Sequence, residues 1–320
     1  MGIRGLNTLI KKLSENSITE NDIKKYSGSK IAIDCSILLY KFKYACKSEN
    51  SHLVGIANRV KYYIGNGILP IFIFDGSPPD EKKNTILKRQ TAKYKTYLKI
   101  DQLKIEREDP TLDAIKINSI DNEINKLLSQ IIYIKKHHIE ESKTLLEKSG
   151  VPYITAPEDA EKYCAFLQRN NLVDYTVSDD TDTITFGCEK ILKTSINGKI
   201  TEINLNKILE DFKMDMDMFI DFCILSGCDY CDTINQIGPV TSYNSIIKYK
   251  NIENFLKTLK EVNDNFDYIS ARKIFKEFEY EKINKDLLVM KKYNKEELLE
   301  FLNLHEFKQN VISKFLKILN

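Results

Sequence analysis

Four short apolar runs in this chain carry no alternation of polar and apolar residues. They span residues 31–34, 70–75, 151–154 and 174–177. Such runs are typical of strands that are buried on both faces of a parallel sheet. Apolar residues at helical spacing lie between them and predict helices at 36–47, 52–66, about 139–148 and 158–170. The alternation predicts an α/β fold with a parallel-rich central sheet flanked by helices.

The stretch at 80–140 departs from this pattern because it is polar, rich in lysine and helical, with a break at 108–111. We expect this insert to lack a core of its own and to pass over the sheet edge. The segment 82–99 contains six lysines and one arginine but no acidic residue. Such a run is usually a solvated helix face. Here it directly follows an acidic strand end, and Lys82 and Arg89, seven residues apart, lie on one helical face.

After residue 198 the chain is predicted to be mainly helical. Residues 216–226 are apolar at helical spacing. Gly238 and Pro239 then give a tight entry into a helix near 240–250. Residues 296–320 have the pattern of one or two amphipathic helices.

Composition excludes several classes of protein. The apolar runs are far shorter than the roughly 20 residues that a membrane span needs, and we expect neither a membrane segment nor secretion. Leu6 breaks the myristoylation motif that Met1 and Gly2 begin. Seven cysteines without disulfide-like spacing predict reduced thiols, and Cys228 and Cys231 are interpreted as thiols packed around a turn. The net charge of +2 does not by itself identify a nucleic-acid binder.

Acidic side chains follow the four predicted strands and one later helix. Ligands bind at the carboxyl ends of strands in such sheets, and a single acid there would be explained as a helix cap. Seven crowded carboxylates repel each other unless cations neutralise them, and hard divalent cations prefer oxygen ligands. Paired ions of this kind cleave phosphodiesters. The seven residues, Asp34, Asp75, Asp159, Glu161, Asp180, Asp182 and Asp229, therefore predict a metal-dependent nuclease.

Six segments, in order, carry a resemblance to a known family. They are MGIRGL at 1–6, IAIDCS at 31–36, FDGSPP at 74–79, APEDAE at 156–161, SDDTDTITFG at 178–187, and LSGCDYC to IGP at 225–239. The chain resembles the flap endonuclease branch of the XPG-type structure-specific nucleases. Residues 51–55, SHLVG, look more like a flap endonuclease than its exonuclease or junction-resolving relatives. The resemblance implies a PIN-like 5′-nuclease fold with a helical arch at 80–140.

The resemblance implies two Mg²⁺ ions, with Mn²⁺ as a substitute. Asp34, Asp75, Asp159 and Glu161 would surround one ion, and Glu161, Asp180, Asp182 and Asp229 the other, with Asp34 and Asp180 also counted as catalytic. Asp159 stands where the family usually has a longer Glu. The neighbouring Glu158 points about 100° away on a helix and is no obvious substitute.

The resemblance also implies residues that contact DNA. Lys82 and Arg89 would face the scissile phosphate and act in catalysis, and Tyr40 would stack on the base beside the cut. Without the family, Tyr40 would be interpreted as a core aromatic. The remaining implied contacts are Gly2, Lys83, Lys88, Lys93, Gly238 and Lys248.

Residues 227–249 resemble the family's helix–two-turn–helix, which holds duplex phosphates and often a potassium ion. Gln236 replaces the usual first glycine, and Val240 and Thr241 replace two basic residues. These departures predict a weaker duplex contact, or one moved to Lys248 and Lys250. A degenerate sliding-clamp motif at 309–316 lacks its second aromatic and lies in what should be the last packed helix.

The expected function is cleavage of branched DNA at a 5′ flap in replication or repair, leaving a 5′-phosphate and a 3′-hydroxyl. The alternatives are a 5′→3′ exonuclease of the same superfamily, a non-catalytic metal-binding module, or a small-molecule phosphohydrolase with Asp34 as nucleophile. Leu38 and Ser36 disrupt the motifs that the last two require. We expect a monomer in the nucleus, or at a cytoplasmic replication site if viral.

The predicted division is a nuclease core at 1–79 and 141–213, an arch at 80–140, a duplex-binding region at 214–260, and C-terminal helices at 261–320 packed on the core.

Overall fold

The structure, a computed structural model, describes residues 2–46, 48–194, 199–262, 265–278, 280 and 283–319. Lys47, Gly198 and Asn320, at the ends of three predicted segments, lie outside the described residues. The strands are β1 (Ile18–Asn21), β2 (Lys30–Asp34), β3 (Leu69–Phe74), β4 (Tyr153–Thr155), β5 (Tyr175–Val177), β6 (Lys190–Thr194) and β7 (Ile200–Asn204).

Helices surround these strands in the described part of the chain. They are α1 (Leu6–Leu13), α2 (Cys35–Ala45), α3 (Ser51–Ile64), α4 (Lys83–Arg107), α5 (Ala114–Gln130), α6 (Lys136–Lys148), α7 (Ala160–Arg169), α8 (Asp182–Thr185), α9 (Leu205–Phe212), α10 (Met216–Ser226), α11 (Pro239–Tyr249), α12 (Ile252–Leu256), α13 (Tyr268–Lys276), α14 (Lys295–Leu304) and α15 (Gln309–Leu319). The C-terminal prediction of one or two helices is resolved as two, α14 and α15.

The strands form one mixed sheet in the order β1-β7-β6-β5-β2-β3-β4. Neighbours from β6 to β4 are parallel, whereas β7 is antiparallel to both β6 and β1. The four strands predicted from apolar runs are β2, β3, β4 and β5, so the predicted fold class is confirmed. From β2 the chain continues on one side to β3 and β4, and it later returns to β5 on the other side. The ends of β2 and β5 therefore flank a topological switch point, where open sheets bind ligands.

Both faces of the central strands are buried, as their apolar runs predict. Ile33 and Phe72 belong to a cluster that also contains side chains of α2, α3, α6, α14 and α15. Ala32 and Ile71, one residue earlier on each strand, belong to a second cluster with side chains of α7. The period of two along each strand distributes these residues to the two faces. This packing holds the carboxyl ends of β2 and β3 in fixed positions.

The prediction that the chain is mainly helical after residue 198 is confirmed by α9 to α15, but the strands β1, β6 and β7 were not predicted. These strands lie toward one end of the sheet and mix polar with apolar residues. In β7 the two buried isoleucines, Ile200 and Ile203, are three residues apart, which matches neither strand nor helix periodicity clearly. Pairing with β6, rather than local pattern, makes this segment a strand.

The polar insert consists of two arch helices, α4 and α5, and the predicted break between them is confirmed. The prediction that the insert has no core of its own is wrong. Ile100 and Leu103 of α4 pack against Ile120 and Ile124 of α5 in a separate small cluster. One apolar stripe per helix is enough to join the pair although both helices are otherwise polar. No described helix, α4 included, is both long and apolar enough to cross a membrane.

Candidate metal centre and nucleic-acid interface

The predicted carboxylates meet at the ends of four neighbouring strands. Asp34 is the N-cap of α2, and its Oδ1 accepts a hydrogen bond from the Ser36 amide at 3.0 Å. Asp75 accepts from the Ala160 amide at 2.8 Å, so it caps α7 from another strand. Asp159 is the residue before α7, and Glu161 lies in its first turn. Local capping thus explains the direction of Asp34 and Asp75, and it brings the ends of β2, β3 and β4 together.

Asp180 lies in the loop after β5, Asp182 is the first residue of α8, and Asp229 comes from the loop after α10. The Asp182 amide donates to Asp180 Oδ1 at 3.1 Å. Ser178 links this loop to β2, since its hydroxyl donates to Asp34 Oδ2 at 3.2 Å. Asp229 is close enough to Asp180 and Asp182 for its charge to raise the pKa of both. All seven predicted carboxylates therefore belong to one neighbourhood.

Burial makes this neighbourhood electrostatically costly. Five of the seven acids are buried, and only Asp75 and Asp229 are more open. Burial, followed by the charge of Asp75, raises the pKa of Asp34 to about 7. Burial also raises the pKa of Glu161, although the nearby charge of Lys82 partly opposes this. Desolvated carboxylates of this kind are stabilised by a cation.

Asp182 carries the clearest requirement for a cation. Its side chain is fully buried, and within the described part of the chain neither carboxylate oxygen has a hydrogen-bond partner. Burial, and then the charges of Asp180 and Asp229, raises its pKa well above the usual range. Buried polar atoms without partners are rare in folded proteins and usually mark an ion or a function. The donor set, all carboxylate oxygens, fits a hard divalent cation.

The carboxylates do not form a ready-made coordination shell. Among the residues that the structure describes, no three His, Cys, Asp or Glu side chains are close enough together to hold one ion. Lys82 instead lies between two of the acids, with its Nζ 2.8 Å from Asp159 Oδ1 and 3.1 Å from Glu161 Oε1. Burial lowers the pKa of Lys82, but the charges of Glu161 and Asp159 outweigh it and the net pKa is raised. Coordination therefore requires these side chains to rearrange around the ion.

Tyr230 is a site residue that sequence reasoning missed. Its hydroxyl donates to Asp159 Oδ2 at 2.8 Å, and its ring lies 5.4 Å from Lys82 Nζ. Asp159, which stands where the resemblance implies a longer glutamate, is thus held by both a lysine and a tyrosine. Glu158 is turned toward Lys162 at 2.7 Å, in agreement with the prediction that it does not replace Asp159. A tyrosine beside an acidic loop residue gives no local signal, because buried tyrosines are common in cores.

The first turns of α4 attach the arch helices to the loop after α10. Arg89 Nη2 lies 2.5 Å from Asp229 Oδ2, and Thr85 donates to the Asp229 carbonyl at 2.8 Å. Lys88 Nζ pairs with Asp232 at 2.5 Å. Lys82 lies in the turn before α4 and Arg89 within the helix, and both contact acids of the cluster.

The other predicted DNA contacts lie in several places. Gly2 has a φ of 87°, and a Cβ there would lie 2.0 Å from Asp180 Oδ1, so only glycine fits against this acid. Tyr40 is 38% exposed with Lys93 Nζ 5.7 Å from its ring centroid, so it is not a core aromatic. Lys83 pairs with Asp80 at 2.9 Å and does not join the carboxylates.

The helix–two-turn–helix segment places Gly238 and Lys248 at opposite ends of α11. Gly238 is the N-cap and has open space around it, while Lys248 is exposed in the last turn. Cys228 and Cys231 have their Sγ atoms 3.8 Å apart as free thiols, which agrees with the interpretation of two thiols around a turn.

Gln236 adopts a backbone conformation that favours glycine. Its φ is 63°, in the left-handed region, and its side chain is exposed. A non-glycine residue there costs about 1–2 kcal/mol. We expect Gln236→Gly to raise the free energy of unfolding by about 1 kcal/mol, measured by urea denaturation. Gln236→Ala is the control, because it removes the side chain but keeps the strain; equal stability of the three proteins would contradict the assignment.

Asp34 is expected to make stability depend on pH. Because its folded-state pKa of about 7 lies above the usual value near 4, the folded protein binds this proton more tightly than the unfolded chain. In EDTA, the stability of the wild type relative to Asp34→Asn should fall as pH rises through this window, by up to about 1.4 kcal/mol per pH unit. Urea denaturation of both proteins at a series of pH values measures how this stability difference changes with pH. A difference that stays flat between these two pKa values would refute the expectation.

Family models match two parts of the chain. The XPG N-terminal domain matches residues 1–96, and the XPG I-region matches residues 150–229. The first covers β2 and β3 with their acids, and the second covers β4, β5 and the remaining acids up to Asp229.

Curated relatives and solved structures agree with these matches. Flap endonuclease 1 of Aedes aegypti is 36% identical over 297 residues, which cover 87% of this chain and 75% of that protein. The Brugia malayi flap endonuclease 1 is 34% identical over 322 residues, or 94% of this chain and 82% of that protein.

Among solved structures, the catalytic core of Rad2 in complex with DNA substrate has a TM-score of 0.74 at 22% identity and covers 100% of both chains. Flap endonuclease-1 from Methanococcus jannaschii has a TM-score of 0.69 at 24% identity and covers 94% of this chain and 95% of that one. At such identities these two structures support the fold, and the curated relatives support the family. The chain therefore belongs to the flap endonuclease 1 family of XPG-type nucleases.

Proposed function

We propose that this flap endonuclease cuts branched DNA at the base of a 5′ single-stranded flap in a reaction that depends on two divalent cations, with Mg²⁺ as the physiological ion. The observation that carries the proposal is the fully buried Asp182 carboxylate, both of whose oxygens lack partners among the described residues. It lies among six other acids, of which five follow the carboxyl ends of four neighbouring strands and Asp229 follows α10. Such a cluster has no stabilising role in a protein that binds no cation.

Two groups of carboxylates would hold the ions, with Glu161 between them. Asp34, Asp75 and Asp159, which follow β2, β3 and β4, would form the first group. The other group is Asp180, Asp182 and Asp229. When bound, paired Mg²⁺ ions lower the pKa of an attacking water and stabilise the leaving oxygen.

Lys82 and Arg89 supply positive charge beside this centre. Each already lies within 3.1 Å of a carboxylate oxygen of the cluster. When phosphate enters, the same side chains are in reach to offset the negative charge that builds on it. Because Lys82 is buried and Arg89 is 42% exposed at its side chain, we assign Lys82 to the reacting phosphate and Arg89 to the approach of the strand.

Tyr40 and α11 define the proposed path of the DNA. The exposed ring of Tyr40 stacks on a base beside the cut, and the arch helices stand over the single strand. The N-terminus of α11 contacts the duplex, with Gly238 open to a phosphate and Lys248 at the far end. Binding should weaken steeply with salt because phosphate contacts release counterions.

The test is cleavage of a labelled 5′-flap substrate with Mg²⁺, with Mn²⁺, and with EDTA. Release of the flap in one step with either metal and none in EDTA supports the proposal. Continued shedding of nucleotides after the first cut would favour the 5′→3′ exonuclease. No cleavage with any divalent metal would favour the non-catalytic metal-binding module.

Two finer predictions concern a potassium ion and a sliding clamp. The resemblance implies a potassium site in the loop between α10 and α11, and stronger duplex binding in K⁺ than in Na⁺ would support it. Sliding-clamp binding through residues 309–316 is disfavoured, because Ile312 and Phe315 are buried in the core beneath α3. We propose a monomer acting where DNA is replicated, in the nucleus or at a cytoplasmic viral site.

A further inference from the structure

Exposed aromatic rings and one lysine form a row that leads away from the carboxylate centre. Lys93 and Tyr97 follow Arg89 on α4 at intervals of four residues, so the three lie along one ridge of the helix. Each interval is about 6 Å of helix rise. The row therefore begins at a residue that contacts Asp229 and continues along the arch helix α4.

The row is continuous across three elements. Lys93 Nζ lies 5.7 Å from the Tyr40 ring centroid and 4.6 Å from that of Tyr133, which comes from the segment between α5 and α6. Tyr133 and Tyr97 are nearly parallel, with 17° between their planes and 6.5 Å between their centroids. Lys93 also donates to the Ile132 carbonyl at 3.1 Å, which fixes its position between the two rings.

These rings are not part of a core. Tyr40, Tyr97 and Tyr133 are 38%, 37% and 49% exposed, and none belongs to a hydrophobic cluster of the described residues. Single exposed aromatics are common and need no explanation. Three in a row, spaced by a lysine and beginning beside a nuclease centre, have the composition of a single-strand binding surface, where bases stack on rings and cations contact the backbone.

Tyr133 also forms part of a cavity of about 530 Å³ at the end of the row. Tyr44, Lys43 and His137 line the same cavity, together with one acid, Glu49, and several apolar side chains. Its volume falls within the range of small-ligand sites. The cavity is thus large enough to receive a nucleotide that leaves the Tyr97–Tyr133 pair.

We infer that Tyr40, Lys93, Tyr133 and Tyr97 form a stacking track for the bases of the single-stranded 5′ flap, and that the adjoining cavity receives the next nucleotide. The inference rests on the proposed function and extends it. It predicts that this nuclease recognises the bases of the flap as flat surfaces, without reading their sequence. If phosphate contacts alone held the flap, its affinity would not depend on whether bases are present.

The test compares flaps with and without bases. Fluorescence anisotropy in Ca²⁺ measures the binding of three DNAs with the same duplex: one with a flap of about eight nucleotides, one with an abasic flap of that length, and one without a flap. We expect the wild type to prefer the normal flap over the abasic flap by about tenfold or more. Tyr133→Ala should lose this preference, and Tyr133→Phe, which keeps the ring, should retain it.

Tyr94→Ala is the matched control, because Tyr94 is another exposed tyrosine of α4, at 63%, outside the track. It should keep the preference. Equal binding of normal and abasic flaps by the wild type would overturn the inference whatever the variants do. A preference that survives Tyr133→Ala, or an equal loss in Tyr94→Ala, would also overturn it. Cleavage of the normal flap with Mg²⁺, assayed in parallel, separates the two proposals: intact cleavage without a base preference leaves the proposed function standing and removes only the track.

Discussion

Asp182→Asn is expected to abolish flap cleavage and, in EDTA, to make the protein more stable. The variant removes a buried charge whose oxygens have no partner among the described residues, and it keeps the size of the side chain. Removing a buried unsatisfied charge should raise the free energy of unfolding by about 2 kcal/mol. Loss of one metal ligand should cost several kcal/mol of transition-state stabilisation, which is about 10³-fold in rate or more.

Single-turnover cleavage with excess enzyme and urea denaturation in EDTA measure the two effects. Asp179→Asn is the matched control, since Asp179 lies in the same loop but pairs with Lys41 at the surface. An exposed pair contributes little, so this variant should resemble the wild type in both assays. Cleavage by Asp182→Asn within tenfold of the wild type would remove this residue from the metal centre.

Lys82→Met should have the second-largest effect, with stability and activity falling together. Its ammonium is buried between Asp159 and Glu161, and removing it leaves two buried carboxylates without this partner. Breaking a buried pair typically costs about 3–5 kcal/mol, and we expect about 3 kcal/mol in EDTA. Mg²⁺ should recover part of this loss, because it binds the folded state and neutralises the same acids. Cleavage should fall about 10²-fold through the lost charge at the phosphate.

The comparison of urea denaturation in EDTA and in Mg²⁺ tests this argument. Lys83→Met serves as the stability control, because Lys83 is adjacent, exposed and paired only at the surface with Asp80. It should change stability by less than about 0.5 kcal/mol. If Lys82→Met were as stable as the wild type in EDTA, the lysine would not be what neutralises Asp159 and Glu161.

Much of the fold could be predicted because its central strands are buried on both faces. Burial of this kind requires uninterrupted apolar runs, and β2 and β3 have them. The strands toward the other end of the sheet could not be predicted in the same way. In β7 polar and apolar residues are mixed, and its pairing with β1 and β6 decides its structure. The arch helices are a similar case, since the few apolar residues of each become a core only when the other helix supplies a partner.

The sequence by itself predicted which seven acids come together and which element each one follows. The seven carboxylates follow four strands and one helix that local patterns predict. Parallel strands necessarily bring their carboxyl ends to one edge of the sheet. The tertiary structure alone decided their charge environment. Lys82 meets Glu161 across 79 positions of sequence, and Arg89 meets Asp229 across 140. Tyr230 reaches Asp159 across 71 positions, and the two carboxylate oxygens of Asp182 have no hydrogen-bond partner among the described residues. Desolvation and pairing depend on such distant contacts, and no local pattern of residues records them.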